Sequence, residues 1–474
     1  MDMLTLNDDI LHNIAEMLSA AECIPLSSVS RDLHSIARPY VFASITVRTV
    51  EQLFNMHDHL IRNIDNRLIW PRGLTVLVYG AAGMAGAAWE RPVVDVLAGI
   101  LEHARELKVL EIYNCEEAIC CNALVGEYLT ALPNLSDISL FCVGTKTLDV
   151  LHRMVSRPKR AVLSGSLKHN RFSTHIARAP VLDNVKELRL YQFDGVPSPQ
   201  LLSSLSGAHP QVETLHLGVC AVYPCLILFP NIRRLTIHIC QFDLPAPGHH
   251  IEQRHLGYLA VEPTNLHLIS ALGIRSDYLR LYTEWQDFDP SEDHELVSAA
   301  AVLELGLSLS ASYTESSMAL AQMISRKLSR VRYLVLTIEE SYSAMASWMK
   351  DIPSSLSPSQ LICITVHVTH PNDRGPSRET WLELLQRLED AHISAIPSLR
   401  FYSQVLGWRH TDNPSETTWR RIEGDGGRRA VRPILSWQGE RIHRYLQSPE
   451  FCRTLRFDEE AALQYTGRSI RRES

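Results

Sequence analysis

The sequence predicts an α/β protein in which a helical N-terminal segment precedes a long array of short strand-and-helix repeats. The first observation is a phrase, apolar-x-x-apolar-x-apolar, that returns from about residue 70 to residue 405. The second is the helical periodicity of intervening stretches such as 92–103 and 380–388. The third is the spacing of the central anchors, which are 27, 20, 24, 20 and 24 residues apart: Leu188, Leu215, Leu235, Leu259, Leu279 and Leu303.

One short strand and one return segment per unit is the arrangement that this period favours. A single unit of this size leaves an apolar face uncovered, whereas stacked units share one continuous core. The gap between Leu140 and Leu188 is near two periods, so we expect a degenerate or unfolded unit around Val162 and Leu163, within a polar stretch, 159–178, that suits a loop. The phrase resembles irregular leucine-rich repeats, and the resemblance implies a repeat solenoid over residues 70–405.

The first 45 residues carry more apolar side chains than so short a segment can bury by itself. Ile10, Ile14 and Met17 recur at three- and four-residue spacing, which is the period of an amphipathic helix. Asn7 is a candidate N-cap, and Pro25 suits the first turn of a second helix. A short helical unit with surplus apolar surface is typical of a segment that docks on another protein.

The same run resembles an F-box, from Leu6 and the acidic pair Asp8-Asp9 to the exit Pro39-Tyr-Val-Phe42, over about one tenth of the chain. The resemblance implies docking on a Skp-family adaptor of a cullin–RING ubiquitin ligase complex. The adaptor-facing residues that it implies are Leu6, Ile10, Leu11, Ile14, Leu18, Leu26 and Val29. The alternative is that these side chains only pack the N-terminal end of the repeat domain.

The residues that alternate with the anchors are the candidates for substrate binding. In a strand the anchors point inward and their neighbours point to the concave face of the solenoid. Aromatic side chains flanked by arginine have the composition of a protein-binding surface, although a solvated sheet face without a ligand is the alternative. The predicted concave-face residues are Tyr113, Phe141, Tyr191, His238, Tyr282, His367, Tyr402, Arg189 and Arg280.

Composition excludes several classes of function and favours an intracellular protein. The net charge of −7 gives no electrostatic case for nucleic acid as the principal partner. No apolar stretch approaches the length of a membrane span, and no signal peptide is recognisable. The ten cysteines are scattered, which indicates reduced thiols. We therefore expect a cytoplasmic or nuclear protein with no nucleic-acid or membrane partner.

A rival interpretation starts from a glycine-rich segment, Gly80-x-x-Gly83-x-x-Gly86, which follows an apolar run. It resembles the nucleotide-binding turn of short-chain dehydrogenases, and the resemblance implies an oxidoreductase that binds NAD(P). No acidic residue closes a second strand about twenty residues later, and no Tyr-x-x-x-Lys occurs in the chain. A loop before the first repeat helix is therefore the favoured interpretation.

No other motif predicts catalysis or metal binding. His249, His250 and His255 lie in a loop rich in proline and glycine, without cysteine or carboxylate at ligand spacing. We therefore expect a substrate receptor without enzymatic activity, cofactor or metal. The expected segments are an F-box-like segment at 1–45, a linker helix at 46–69, repeats at 70–405 and a C-terminal cap or tail at 406–474.

Overall fold

The computed structural model divides the chain into two compact units, which are described separately. The first unit comprises Met1–Ile232 with Ile239–Asp243, and the second comprises Arg233–His238 with Leu244–Ser474. The described residues are 7–62, 71–78, 89–165, 176, 178–193, 207–240, 253–262, 265–281, 294–307, 329–338, 353–370, 377–408, 416–424 and 429–467.

Three helices open the first unit: α1 (Asp8–Met17), α2 (Ala20–Ser27) and α3 (Arg31–Val41). Asn7 caps α1 as predicted, because its side chain accepts a hydrogen bond from the amide of Asp9. The prediction for Pro25 was wrong, since this residue lies near the C-terminal end of α2. The helix begins earlier because Ser19 and Glu22 form a capping box, in which each side chain accepts from the other residue's amide.

The first unit continues with seven described strands that form a parallel sheet in chain order. They are β1 (Ser44–Val47), β2 (Gly73–Val76), β3 (Val109–Ile112), β4 (Asp137–Val143), β5 (Arg160–Gly165), β6 (Glu187–Tyr191) and β7 (Thr214–Gly218). The helices between them are α4 (Val50–His57), which a short π-helical turn at Asp58–Arg62 extends, α5 (Arg91–His103), α6 (Cys115–Cys121), α7 (Ala123–Ala131), α8 (Thr145–Arg153), a 3₁₀ turn at Pro180–Leu182 and α9 (Val222–Leu228). Sequential parallel pairing is what a strand-and-return repeat predicts.

The predicted anchors are buried and stand in register across this sheet. Leu110, Ile138, Leu188 and Leu215 are each at most 1% exposed. The unit is degenerate in sequence, as expected, but residues 160–165 do not form the expected loop, because β5 pairs with both neighbours and places Ala161 between Ile138 and Leu188. Alanine fills the anchor position there, so the repeat phrase is hard to recognise in the sequence.

The second unit has seven parallel strands in chain order, followed by two antiparallel strands. The described strands are β8 (Arg234–His238), β9 (Arg254–Val261), β10 (Ile274–Leu281), β11 (Val302–Leu307), β12 (Tyr333–Ile338), β13 (Cys363–His370), β14 (Phe401–Trp408), β15 (Glu416–Glu423) and β16 (Ala430–Ile434). Its described helices are α10 (Leu266–Ala271), α11 (His294–Ala299), α12 (Arg378–Ala395), α13 (Ser436–Leu446), α14 (Pro449–Thr454) and α15 (Glu459–Gln464).

The C-terminal segment does more than the end cap that the sequence predicts. Strands β15 and β16 extend the sheet beyond the last parallel strand. Helices α13 to α15 instead lie against one sheet face of the second unit, where their apolar side chains form a single core cluster with residues of β9 to β15. The helical residues of that cluster are Ile442, Tyr445, Leu446, Phe451, Cys452 and Ala462.

Two properties of the chain bear on its setting. All ten cysteines are free thiols. Among the described helices, none combines the length and the apolar character that crossing a membrane requires.

Candidate functional site

The N-terminal helices pack on one another around a small core of their own. Leu11, Leu33 and Ile36 are at most 6% exposed and form this core, against which Leu26 is partly buried. Ala15 and Cys23 are fully buried, and the thiol of Cys23 donates to the backbone oxygen of Ala15 over 3.5 Å. The three helices therefore do not need the outer side of α1 for their own packing.

That outer side carries an apolar stripe. Ile10, Ile14 and Met17 lie on one side of α1 because they are four and three residues apart. Ile10 is 46% exposed and Met17 is 79% exposed, whereas Ile14 is half-buried. We call these three residues the α1 stripe. It points about a quarter-turn away from the inward-facing Leu11, so α1 has two apolar sides.

The structure sorts the predicted adaptor-facing residues into three groups. Ile10 and Val29 are exposed, and Ile14, Leu18 and Leu26 are half-buried. Leu11 is a correction, because its side chain belongs to the core between α1 and α3 and is not available to a partner. Leu6 lies outside the described residues. Met17 and Ile24, at 79% and 56% exposure, are additional exposed apolar residues that the prediction left out, since only the packing of α1 and α2 on α3 shows which sides stay free.

The first unit presents an open sheet face. The open face is the side of strands β1 to β7 whose residues alternate with the buried anchors. In each of these strands the residue at the centre of this side is half-buried or exposed. Parallel registration places these residues side by side across the sheet. They are Thr46, Thr75, Glu111, Ser139, Val162, Arg189 and His216.

Three of the predicted aromatic residues lie at the C-terminal ends of these strands, all half-buried. The rings of Tyr113 and Phe141 are stacked with centroids 4.1 Å apart and planes 16° apart. Tyr191 packs beside Gly218, where a Cβ atom would lie 2.5 Å from its ring. Stacking of this kind stabilises neighbouring strands and leaves part of each ring available to a partner.

Charged side chains at the start and at the centre of these strands are partly paired within the sheet. Arg160 contacts the carboxylate of Asp137 on the neighbouring strand. Arg189 pairs with Glu187 at 3.0 Å within β6. The guanidinium groups of Arg160 and Arg189 are 55% and 38% exposed, whereas Asp137 and Glu187 are 20% and 14% exposed, so it is the arginines that can also contact groups of a bound protein.

The corresponding face of the second unit is closed. Tyr278, Tyr333 and Phe401 are each at most 1% exposed because α13 to α15 and the segment after α14 cover them. The Tyr333 hydroxyl lies 2.5 Å from His443 Nδ1 on α13, and the rings of Phe401 and Phe457 have centroids 5.2 Å apart. These side chains form core, and they are not a surface for a substrate.

Charged side chains on the closed face are paired with other residues of the second unit. Glu304 is 1% exposed, accepts a hydrogen bond from the Tyr278 hydroxyl at 2.5 Å and pairs with Arg280 at 3.4 Å. Arg280, a predicted concave-face residue, is thus committed to the second unit's own structure. Burial lowers the pKa of His238, another predicted residue, which is half-buried on β8.

The remaining predicted residues have separate outcomes. His367 is half-buried on the predicted face of β13, and Tyr282 lies outside the described residues. The prediction for Tyr402 was wrong, because this residue is fully buried in register with Ile364 on the side that faces α12, where its ring neighbours His392. The sequence phrase was misaligned by one residue, since Phe401 and not Tyr402 belongs to the face beneath the C-terminal helices.

No three His, Cys, Asp or Glu side chains come together as metal ligands among the described residues. Gly80, Gly83 and Gly86 lie outside them. Dinucleotides bind where the strand order of a doubly wound sheet reverses, and the described strands of the first unit run in chain order without reversal.

Several solved structures are similar to this chain, and one of them is a leucine-rich repeat protein. The solved structure of the leucine-rich repeat-containing protein LegL7 from Legionella pneumophila is similar at 16% identity, covering 64% of this chain and 84% of that chain with a TM-score of 0.31. No protein-family model matches the chain, and no curated protein matches it. The strand order and register of this chain show its repeat architecture independently of that likeness.

Proposed function

We propose that this chain is the substrate-recognition subunit of an SCF-type cullin–RING ubiquitin ligase. Its N-terminal helices bind a Skp-family adaptor, and the open face of the first unit binds the protein to be modified. Other subunits of the complex carry out ubiquitin transfer, so this chain supplies attachment and selection without enzymatic activity, cofactor or metal of its own.

The observation that carries the proposal is the α1 stripe. The N-terminal helices already have a core, so exposing Ile10 and Met17 to water has no structural purpose within the three helices. Burying a large aliphatic side chain contributes about 1.5–3 kcal/mol, which makes such a stripe a strong contact for a partner. The alternative, a repeat scaffold whose N-terminal helices merely pack on the repeats, would call for these side chains to be buried within the chain.

The test is a titration of the full-length protein with a purified Skp-family adaptor. The double variant Ile10→Asp and Met17→Asp places two charges on the stripe without entering the core of the helices. We expect it to lower adaptor affinity by about 100-fold or more, because two desolvated aliphatic contacts are lost. Thermal unfolding should stay at the wild-type temperature.

A matched control uses exposed leucines far from the stripe in sequence. Leu124 on α7 and Leu382 on α12 are 50% and 44% exposed, and the double variant Leu124→Asp and Leu382→Asp adds the same charge. It should bind the adaptor as tightly as the wild type does. Undiminished adaptor affinity of the stripe variant would sink the ligase proposal and leave the scaffold interpretation.

A further inference from the structure

A row of basic side chains follows the N-terminal edge of the first unit's sheet. In each repeat one residue lies two positions before the first anchor. Its carbonyl oxygen accepts hydrogen bonds from two successive backbone amides of the next repeat. The carbonyl of Lys108, for example, accepts from Ser136 at 2.8 Å and from Asp137 at 3.0 Å. We call these positions the entry row, which from β2 to β6 is Arg72, Lys108, Ser136, Lys159 and Lys186.

Backbone bonding fixes the spacing of this row. Neighbouring parallel strands are about 4.8 Å apart, so four intervals from β2 to β6 place its ends about 19 Å apart. Four of its five members are basic and exposed, and only Ser136 interrupts them. Arg160, directly after Lys159, adds a guanidinium that is 55% exposed.

The lysines of the row carry unused charge. Arg72 pairs with Glu16 at 3.2 Å, and Arg160 contacts Asp137. Lys108, Lys159 and Lys186 form no ion pair with any carboxylate in the part of the chain that the structure describes. Carboxylates lie nearby, with Asp137 and Glu187 at the neighbouring positions and Glu213 at the equivalent position on β7. The exposed ammonium groups of the three lysines are nevertheless free of direct ion pairs and can contact the carboxylates of a partner.

We infer that the entry row binds an extended acidic segment of a partner protein, with glutamate and aspartate side chains facing Lys108, Lys159 and Lys186. An extended peptide rises about 3.3 Å per residue, so about six residues cover the row. This inference deepens the proposed function by stating the chemistry of the substrate, and it rests on that proposal only in calling the partner a substrate.

A peptide fits the row better than a nucleic acid does. The row is one residue wide, and the neighbouring positions on β4 and β6 are the carboxylates of Asp137 and Glu187. A duplex would bring phosphates over those carboxylates, where like charges repel. A single extended chain contacts the lysines and avoids them.

The experiment measures binding of a fluorescein-labelled hexaglutamate peptide to the full-length protein by fluorescence anisotropy. The triple variant Lys108→Gln, Lys159→Gln and Lys186→Gln should weaken binding about tenfold, because three exposed charge contacts are lost. A control variant, Lys146→Gln with Arg387→Gln and Arg453→Gln, removes the same charge from exposed positions elsewhere. It should bind the peptide like the wild type, and binding of both should weaken as salt rises.

Three outcomes would overturn the inference. They are the absence of peptide binding by the wild type, equal losses in the two triple variants, and tighter binding of a labelled DNA duplex than of the peptide with the same loss in the lysine variant. The last result would assign the row to nucleic acid. None of these measurements involves the adaptor, so a failed adaptor titration leaves the peptide result standing, and the reverse holds equally.

Discussion

The two units are built from the same strand-and-return repeat but use the second sheet face in opposite ways. The first unit leaves that face open, and every side chain between the anchors at its central position except Val162 is polar or charged. The second covers it with the C-terminal helices, so Tyr278, Tyr333 and Phe401 lie in a core. A repeat array therefore presents a binding surface only where no other part of the chain occupies it.

Composition reflects this difference strand by strand. β3 in the first unit reads Val-Leu-Glu-Ile, whereas β12 in the second reads Tyr-Leu-Val-Leu-Thr-Ile. Strands buried on both faces read as near-continuous apolar runs, whereas strands with one open face alternate. The sequence of each strand thus shows whether its second face is covered. It does not show which segment of the chain covers it.

The largest expected difference comes from removing one aromatic ring in each unit. Phe451→Ala empties a fully buried position beneath the C-terminal helices and should cost about 3–5 kcal/mol of unfolding free energy. Phe141→Ala removes a half-buried ring on the open face and should cost about 1 kcal/mol, mainly the stack on Tyr113. Urea denaturation of the two variants measures both values. Similar losses would contradict the distinction between a closed and an open face.

A pH effect is expected in the second unit. His392 on α12 is fully buried, and burial lowers its pKa to about 4. Its folded pKa thus lies below the unfolded value of about 6.5, so the unfolded chain takes up a proton first as the pH falls. Stability is present near pH 7 and decreases from about pH 6.5 towards 4, by about 2 kcal/mol at pH 4.5.

The variant His392→Met isolates this contribution. Its unfolding free energy should decrease less than that of the wild type between neutral pH and pH 4.5, by the same amount of about 2 kcal/mol. Urea denaturation at several pH values measures the difference. Parallel pH profiles for the two proteins would show that His392 is not held neutral by burial.

Two helical glycines offer a smaller contrast. Gly439 on α13 packs against the ring of Trp419, and a Cβ atom there would overlap that ring. Gly439→Ala should therefore cost about 1–3 kcal/mol by overpacking. Gly99 on α5 of the first unit has room, since its Cβ would lie 3.4 Å from His57 Nε2, and Gly99→Ala should stabilise by about 0.5–1 kcal/mol. Differential scanning calorimetry should show shifts of opposite sign, and shifts of the same sign would refute the close approach of α13 to β15.

The smallest expected effect is on the open face. Arg189→Gln removes the partner of Glu187 on β6, where the arginine side chain is 38% exposed. Its cost should be about 0.5 kcal/mol or less, because exposed ion pairs contribute little. A loss above about 2 kcal/mol in urea denaturation would mean that this pair is buried in solution and that the face is not open.

Much of the repeat architecture could be predicted from the sequence, because anchors such as Leu188 and Leu279 obey a local period. The prediction failed where the local signal was weak or the contact distant. β5 uses Ala161 as an anchor, and the phrase at the start of β14 was misaligned around Tyr402. The Tyr333–His443 contact joins residues 110 positions apart, which no local period reports.

The candidate surfaces were predicted in part for the same reason. Helical spacing identified the apolar character of α1, but only the packing of α3 shows that Leu11 lies inside and Met17 outside. The basic entry row was missed, since its members come from separate repeats and align only through the backbone bonds of the sheet.

Hydroxyl-radical footprinting of the full-length protein tests the central contrast most directly, since radicals oxidise the aromatic side chains that water reaches. We predict rapid modification of Tyr113, Phe141 and Tyr191 on the open face, and strong protection of the aromatic residues beneath the C-terminal helices. The protected residues are Tyr278, Tyr333, Phe401 and Phe451. Equal modification of the two sets would contradict the account, because the second unit would then present its sheet face as the first unit does.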